Sequence, residues 1–383
     1  MKTGWKKLPF EEVIADVSGG NVKTPQGEFL QEGQFAIVDQ GKELISGYAN
    51  EEKRLCHADL PVIIFGDHTR CFKYVDFPFC MGADGVKVLR PKIDANVKYL
   101  YYYLRQLHIT NAGYSRHFKY LKQSEVVLPP LDEQKRIADI LDRAEALRAK
   151  RRAALDQLDE LTQSIFIEMF EDPRSPTKRK NEKIRLRDVI DIIVPTRDKP
   201  KSFTGNIPWI TLPDLANSIY IEDSKYKLSK EEARPTKTRL FPKETVILSC
   251  AGSLGKVAIS TNEVYTNQQF YGLVCDKKRI IPEFLAYYLL LLGEDYYRGI
   301  SGTSTLAFFK KESALNIEIM LPEISNQIHF SQTVKQIEKI RKSQQKSLRE
   351  INNLFDSLAH EAFTGKLFSH QFFEQEIENG VKI

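Results

Sequence analysis

The sequence contains little cysteine, and no two of its cysteines form a C-x-x-C pair. There are five, an odd number, at positions 56, 71, 80, 250 and 275. A disulfide framework or a zinc cluster usually shows cysteines in closely spaced pairs. The grouping of Cys56, His57, His68 and Cys71 fits none of the usual zinc spacings. We therefore expect reduced thiols, as in a cytoplasmic protein, with no disulfide framework and no metal site.

Long apolar segments are also missing. The first seven residues, 1–7, contain no apolar run of the kind found in a signal peptide. The longest apolar block, residues 284–292, is far shorter than the roughly 20 residues that a membrane-spanning helix needs. The sequence thus predicts a cytoplasmic protein without a membrane partner.

The net charge of the chain is small. Lysine and arginine number 56 against 51 aspartates and glutamates, a formal net charge of +5. A surplus of this size does not by itself indicate a polyanionic partner, so local clusters must carry that argument. The length of 383 residues exceeds the size at which one hydrophobic core usually stops growing, which favours two globular units.

No complete catalytic motif is present. Residues 251–256 resemble a phosphate-binding loop, but the first glycine and the Ser or Thr after Lys256 are missing. Residues 128–131 have the two prolines of an amino-methyltransferase motif without its polar and aromatic neighbours. Asp214 and Asp223 have no acidic counterparts in the first half of the chain, which argues against a Mg²⁺ site. We therefore predict neither catalytic nor metal-binding residues.

The main positive feature is an internal repeat. Residues 128–170 recur as residues 321–363, 193 positions later and without a gap. The tyrosine-containing segments at 102–104 and 287–289 lie 185 positions apart. Because the offset changes only between recurring elements, the halves share one frame with loops of different length.

The repeat contains two long helical segments with apolar residues at alternating spacings of three and four. This pattern predicts a coiled coil, most simply of the two helices with each other, and at 1.5 Å per residue each helix would be about 60 Å long. Asp132 and Ser325 are the predicted N-caps of the two long helices, and the helices are predicted to end near Pro173 and Gly365. The middle of each helix is basic.

The segments before the long helices are rich in short β-prone runs bounded by Gly, Pro, Asn and Asp. Residues 5–17 instead show apolar positions at helical spacing, which predicts a short helix. Val62–Phe65 and Phe270–Cys275 are examples of the predicted strands. The expected fold class is α+β.

These features together resemble the DNA specificity subunits of type I restriction-modification systems. The resemblance rests on the segment Leu128-Pro-Pro-Leu-Asp-Glu-Gln134 before a long helix, on its second copy ending in Gln327, and on the variable segment between them. It covers about residues 5 to 367. Residues 209–215 and 249–255 support it.

The resemblance implies two α/β target-recognition domains with mixed sheets, separated by two long antiparallel coiled-coil helices in an internal pseudo-two-fold repeat. The expected segments are target-recognition domain 1 at 1–130, spacer helix 1 at 131–172, target-recognition domain 2 at 173–322, spacer helix 2 at 323–367 and a tail at 368–383.

It also implies a subunit without catalysis of its own. Each domain would bind one half of a bipartite, asymmetric site in double-stranded DNA, and the helices would dock two methyltransferase subunits. Endonuclease or translocase subunits would join them. S-adenosylmethionine, ATP and Mg²⁺ would be bound by these partners, and no cofactor by this chain.

Residues with hydrogen-bonding or cationic side chains in the loops are the candidates for DNA contact. They are His68, Thr69, Arg70, Lys73, Ser115, Arg116, His117 and Lys119 in the first domain, and Ser253, Lys256, Thr303, Ser304, Lys310 and Lys311 in the second. The candidates for the coiled coil and partner docking are Gln134, Leu141, Arg148, Arg151, Leu155, Leu158, Ile165, Gln327, Val334, Ile337, Leu348, Ile351, Phe355 and Leu358.

Two other interpretations fit the same layout. One is the recognition subunit of a type IIB-like restriction-modification system, which differs in its catalytic partner. The other is a coiled-coil scaffold that carries two ligand-binding domains and does not bind DNA. Salt-dependent binding to random duplex would distinguish the scaffold from the DNA-binding subunits.

Overall fold

A computed structural model describes residues 4–110, 113, 115–175, 183–196, 198–215, 218–301 and 308–368. It divides into unit 1, formed by Met1–Arg151 and Ser347–Ile383, and unit 2, formed by Arg152–Lys346. Both boundaries fall inside long helices, so each unit contains one part of each helix in addition to the segment expected as a recognition domain.

Unit 1 begins with ten short strands and three short helices, followed by the first long helix. Its elements are β1 Lys6–Pro9, α1 Phe10–Val13, β2 Ile14–Asp16, β3 Lys23–Thr24, β4 Phe35–Val38, β5 Gly47–Ala49, β6 Val62–Gly66, β7 Phe72–Val75, β8 Phe79–Gly82, β9 Val86–Pro91, α2 Val97–Gln106, α3 Phe118–Leu121, β10 Glu125–Leu128 and α4 Leu131–Phe170.

Unit 2 repeats this plan with longer insertions. Its elements are β11 Lys183–Arg185, β12 Ile190–Ile193, β13 Ile207–Ile210, β14 Tyr220–Ile221, β15 Tyr226–Leu228, α5 Lys230–Ala233, β16 Val246–Ser249, β17 Val257–Ser260, β18 Tyr265–Thr266, β19 Phe270–Cys275, α6 Pro282–Ile300, α7 Lys311–Leu315, β20 Glu318–Met320 and α8 Ile324–Thr364.

The sheets are mixed, as expected, and correspond between the units. In unit 1 the sheet with strand order β2-β9-β6-β7 is antiparallel throughout, and the sheet with strand order β3-β8-β4-β5 contains two parallel pairs. In unit 2 the order β12-β19-β16-β17-β14 ends in a parallel pair, as does β15-β13-β18. Each unit also has a two-stranded ribbon, β1-β10 or β11-β20, directly before its long helix. The α+β class with two sheet-rich domains and an internal repeat is thereby confirmed.

The helix predicted over residues 5–17 is wrong for most of its length. Only Phe10–Val13 is helical, and the residues on either side form β1 and β2. Lys6–Pro9 pairs in antiparallel register with Glu125–Leu128, more than a hundred residues away. Short-range apolar spacing does not show such a distant strand partner, and Pro9 precludes one continuous helix.

The long helices begin one residue before the predicted N-caps and end as predicted. Asp132 therefore lies in the first turn of α4, where its charge suits the positive end of the helix dipole. Glu171 and Gly365 follow the two C-termini with φ of 72° and 76°. A left-handed residue at this place is a common helix stop.

Within each unit the two long helices run antiparallel. In unit 1 the Arg148 Nε donates to Asn352 Oδ1 at 2.7 Å, and its guanidinium lies 4.5 Å from the ring centroid of Phe355. In unit 2 Arg341 forms ion pairs with Asp159 and Glu338, at 2.5 and 2.8 Å. These acids offset the like charges that the sequence places in the middle of the helices.

Candidate nucleic-acid interface

The two predicted contact segments of the first half come together at one loop cluster in unit 1. The turn 66–71 joins β6 to β7, and residues 115–117 lead into α3. The His117 amide donates to the Asp67 carbonyl at 2.9 Å, and the Phe118 amide donates to Asp67 Oδ1 at 2.7 Å. Asp67 is therefore the buried residue that joins the two segments.

A third loop, between β4 and β5, completes this cluster. The His68 amide donates to Gln40 Oε1 at 3.2 Å, and the Thr69 hydroxyl donates to the Gln40 carbonyl. Gln40 Nε2 in turn donates to the Asp84 carbonyl at 3.2 Å. Sequence reasoning missed Gln40, because its partners lie 28 to 44 residues away and no local pattern marks it.

The cluster presents several of the predicted side chains to solvent. Thr69, Arg116 and Lys119 are exposed, whereas His68, Arg70 and Ser115 are half-buried. The pKa of the nearby Asp84 carboxyl is lowered, chiefly by a hydrogen bond from Lys23 and further by the charges of Arg116 and His68. Lys23 is the direct partner of this acid, and its Nζ lies 2.9 Å from Asp84 Oδ1.

Lys73 and His117 differ from the prediction, because both are buried. Lys73 is 5% exposed, and its Nζ donates to the Asp39 carbonyl at 2.8 Å. Burial lowers the pKa of Lys73. Burial also acts to raise the pKa of Asp39, but hydrogen bonds from Ser46 and Gly41 and the charge of Lys73 outweigh it, so that pKa is lowered. Lys73 therefore anchors the β4–β5 loop, and a direct DNA contact is no longer assigned to it.

His117 has a similar internal role. It is 1% exposed, and its Nδ1 lies 2.9 Å from the Asp67 carbonyl. Sequence spacing could place His117 in the correct segment but could not show that its ring points inward. Its ring therefore supports the loop cluster from inside.

Unit 2 builds an equivalent cluster from the turn 250–256 and residues 308–311. The Phe309 amide donates to the Cys250 carbonyl at 3.2 Å. Within the turn, the Ser249 hydroxyl donates to the Ser253 carbonyl at 2.6 Å, and the Lys256 amide donates to Ser249 Oγ at 2.7 Å. This bonding holds the turn from inside and leaves its outer side chains at the surface.

The predicted side chains of this second cluster are mostly exposed. Ser253, Lys256, Lys310 and Lys311 all face solvent. Thr303 and Ser304 lie outside the described residues. The two clusters thus share a backbone plan and differ in the chemistry of their exposed side chains.

Gln134 and Gln327 were predicted to belong to the docking surface, but they are internal cross-links. Gln134 is 3% exposed; its Oε1 accepts from the Asn96 amide at 2.9 Å, and its Nε2 donates to the Pro129 carbonyl at 2.9 Å. Gln327 accepts from the Ile281 amide and donates to the Pro322 carbonyl, both at 2.9 Å. Each glutamine therefore ties the start of α2 or α6 to the turn before a long helix.

The other residues predicted for the long helices are buried or half-buried. The buried ones are Leu141, Val334, Ile337 and Phe355. The half-buried ones are Arg148, Arg151, Leu155, Leu158, Ile165, Leu348, Ile351 and Leu358. Exposed large apolar side chains lie instead at off-heptad positions that the sequence reasoning missed: Leu147, Leu161, Ile328, Ile340 and Leu354.

Within the described parts of the chain, no helix combines the length and apolarity required to span a membrane. Those same parts contain no grouping of three or more His, Cys, Asp or Glu side chains suited to a metal ion.

Comparison with known proteins identifies the family. Residues 5–157 and 178–353 match the family model described as Type I restriction modification DNA specificity domain. The specificity subunit of the type I restriction enzyme MjaIX of Methanocaldococcus jannaschii is 27% identical over 199 residues, which are 50% of this chain and 45% of that protein. The EcoR124I/EcoR124II specificity subunit of Escherichia coli is 24% identical over 315 residues, 76% of each chain. The match thus spans less than half of the first relative and about three quarters of the second.

Two solved structures share the fold. The S subunit of a type I restriction-modification system from M. genitalium superposes with a TM-score of 0.60 at 16% identity, covering 94% of this chain and 96% of that one. A chain from a structure of a type I restriction-modification assembly superposes with a TM-score of 0.50 at 18% identity, covering 96% of this chain and 99% of that one. The family match covers most of the sequence, and the chain belongs to the type I restriction-modification DNA specificity family.

Proposed function

We propose that this chain directs a type I restriction-modification complex to a bipartite, asymmetric DNA sequence, with one half-site bound by the loop cluster of each unit. The observation that carries the proposal is the pair of clusters. They are built on corresponding strands and turns, yet one exposes Thr69, Arg116 and Lys119 where the other exposes Ser253, Lys256 and Lys310. The same frame with different hydrogen-bonding groups is suited to binding two different short sequences.

The long helices would set the distance between the half-sites. α4 and α8 have 40 and 41 residues, and each contributes residues to both units. A helix lengthens by about 1.5 Å per residue and is stiff over this range. The unread spacer of the target would therefore depend on helix length.

The helices would also dock two methyltransferase subunits. Large apolar side chains are exposed in both units, Leu147 and Leu354 in unit 1 and Leu161, Ile328 and Ile340 in unit 2. Exposed apolar patches on helices are typical of protein interfaces. One such set in each unit supports one docked subunit per unit.

Chemistry would reside in the partners. S-adenosylmethionine would be bound by the methyltransferase subunits, and ATP and Mg²⁺ by endonuclease or translocase subunits. This chain would contribute the DNA sequence preference and no catalytic group.

The experiment is methylome sequencing of a host that expresses the chain with its methyltransferase. We expect a methylated motif of two half-sites, with Arg116→Ala relaxing one half-site and Lys310→Ala affecting only the other. Loss of a bidentate arginine contact weakens discrimination at a base by about 1–3 kcal/mol. Lys53→Ala, an exposed lysine outside both clusters, is the control. Equal effects of both variants on the same half-site would contradict the assignment.

A further inference from the structure

Unit 1 contains a basic groove beside its loop cluster. The groove has a volume of about 620 Å³ and is lined by Lys42, Arg70, Arg105 and His108 together with apolar and neutral residues. Among the described residues that line it, none is acidic. A groove that is lined by several basic side chains and by no acid is suited to an anion.

Arg70 occupies this groove in a backbone conformation that arginine seldom adopts. Its φ is 61°, in the left-handed region, and its Nη1 donates to the Ile109 carbonyl at 3.3 Å. A non-glycine residue in this region costs about 1 kcal/mol or more, and such strain often marks functional positions. The guanidinium is thus held at the wall of the groove despite an unfavourable backbone.

The corresponding position in unit 2 is a glycine. β7 and β17 begin 185 residues apart, and the same offset places Gly255, with φ of 74°, on Arg70. The turn therefore needs a left-handed residue in both units, and unit 2 uses the residue that adopts this conformation without strain. Arginine is not required to form the turn.

Among the described residues of unit 2, the position that corresponds to Arg105 is apolar. The same offset places Leu290 on Arg105 and Leu292 on Leu107, and α6 continues past a break at Gly293 to Ile300. Tyr297 from this continuation is fully buried, and an added Cβ on Gly255 would lie 2.3 Å from its ring. In unit 2 the buried ring of Tyr297 therefore packs beside the residue that corresponds to Arg70.

Arg105 is held in place on the other side of the groove. Its Nη1 donates to the Tyr101 hydroxyl at 3.1 Å and lies 3.6 Å from Glu145. Glu145 also forms an ion pair with Arg148 at 3.0 Å, so one carboxylate serves two guanidinium groups and the local charge remains positive. Because the Arg105 guanidinium is already held by these contacts, less conformational entropy is lost when an anion enters the groove.

We propose that this groove binds a phosphate of the DNA backbone next to the half-site of unit 1, and that unit 2, which has Gly255 and Leu290 at the positions of Arg70 and Arg105, lacks the contacts of these two arginines. The inference rests on the proposed DNA-binding function and deepens it. Phosphate contacts supply affinity and fix the register of a protein on DNA, whereas exposed loop residues such as Arg116 discriminate bases. The groove thus makes the two units unequal in affinity as well as in sequence preference.

The first test uses the full chain assembled with its methyltransferase subunits. Lys42→Gln with Arg70→Gln should weaken binding to a random-sequence duplex and to the target alike, by about tenfold or more at low salt. The slope of log affinity against log salt should become shallower by about one, as expected when the contact to one phosphate is lost. Lys6→Gln with Lys53→Gln, two exposed lysines of unit 1 that do not line the groove, should leave the slope unchanged.

The second test needs no substitution. Cys71 lines the groove and is half-buried, and Cys56 is a half-buried thiol that does not line it. Random-sequence duplex should slow alkylation of Cys71 by N-ethylmaleimide several-fold and leave Cys56 unaffected. Two results together would overturn the groove proposal while leaving the proposed function intact. They are an alkylation rate of Cys71 that does not change when duplex binds, and a wild-type salt slope in the double variant. Failure of the unaltered complex to bind either duplex would overturn the proposed function with it.

Discussion

At the residue scale, the paired glutamines show why the repeated motif has its form. Gln134 and Gln327 each satisfy a backbone amide at the start of the preceding helix and a proline carbonyl in the turn. A long neutral amide with both a donor and an acceptor is needed for this role. The sequence predicted that these positions matter, but it could not distinguish an internal cross-link from a docking contact.

Replacing Gln134 with Ala should lower the free energy of unfolding by about 2–4 kcal/mol, because one buried and one partly buried backbone group lose their partner. Urea unfolding of the purified chain measures this change. Gln157→Ala, the same substitution at an exposed position of α4, should change the stability by less than about 0.5 kcal/mol. Equal stability of the two variants would show that the cross-link is dispensable.

Arg70 and Gly255 provide a second residue-scale prediction. Arg70→Gly removes the left-handed strain and should leave stability unchanged or higher by up to about 1 kcal/mol. Gly255→Ala introduces both that strain and a clash with Tyr297, and should destabilise unit 2 by about 2–5 kcal/mol. Thermal unfolding of both variants tests the assignment, and a stable Gly255→Ala protein would contradict it.

At the element scale, the ion pair that joins the tyrosine-containing helix to the long helix is reversed between the units. Lys98 of α2 pairs with Asp142 of α4 in unit 1, whereas Glu283 of α6 lies 3.2 Å from Lys335 of α8 in unit 2. A tyrosine hydroxyl donates to each carboxylate at 2.7 Å. Both units therefore have an ion pair between these two helices, but the helix that carries the cation differs.

This reversal predicts a rescue. Asp142→Lys alone should place two cations together and destabilise unit 1, and adding Lys98→Glu should recover about 0.5–1 kcal/mol, as expected for a partly exposed pair. Chemical unfolding of the wild type, both single variants and the double variant gives the coupling energy. A coupling of zero would mean that the pair does not contribute to the contact.

Elements were predictable where the determining interactions are local. The long helices follow from their heptads, and their stops from Pro173 and Gly365, because helix formation depends on residues three and four apart. The strands of residues 6–9 and the inward side chains of Lys73 and His117 depend on partners far along the chain. Residue type and spacing do not specify such partners.

At the scale of the whole molecule, each unit completes its core with the end of a long helix that starts in the other. Phe355 and Ala359 of α8 belong to the core of unit 1, and Phe166 and Phe170 of α4 to the core of unit 2. The recurrence of residues 128–170 as residues 321–363 predicted two related halves. It did not show that each core needs the helix of the other half, since packing across the repeat is not encoded in spacing.

If the long helices set the separation of the two half-sites, lengthening both helices should lengthen the spacer between those half-sites. The most direct measurement is the methylated motif produced after four helix-forming residues are inserted both between Arg151 and Arg152 and between Lys346 and Ser347. A replacement of four residues at each site without a change in length is the control. We predict unchanged half-sites and a spacer longer by about two base pairs, since each insertion adds about 6 Å. Efficient methylation of the original motif with the original spacer would show that the helices do not set the spacer.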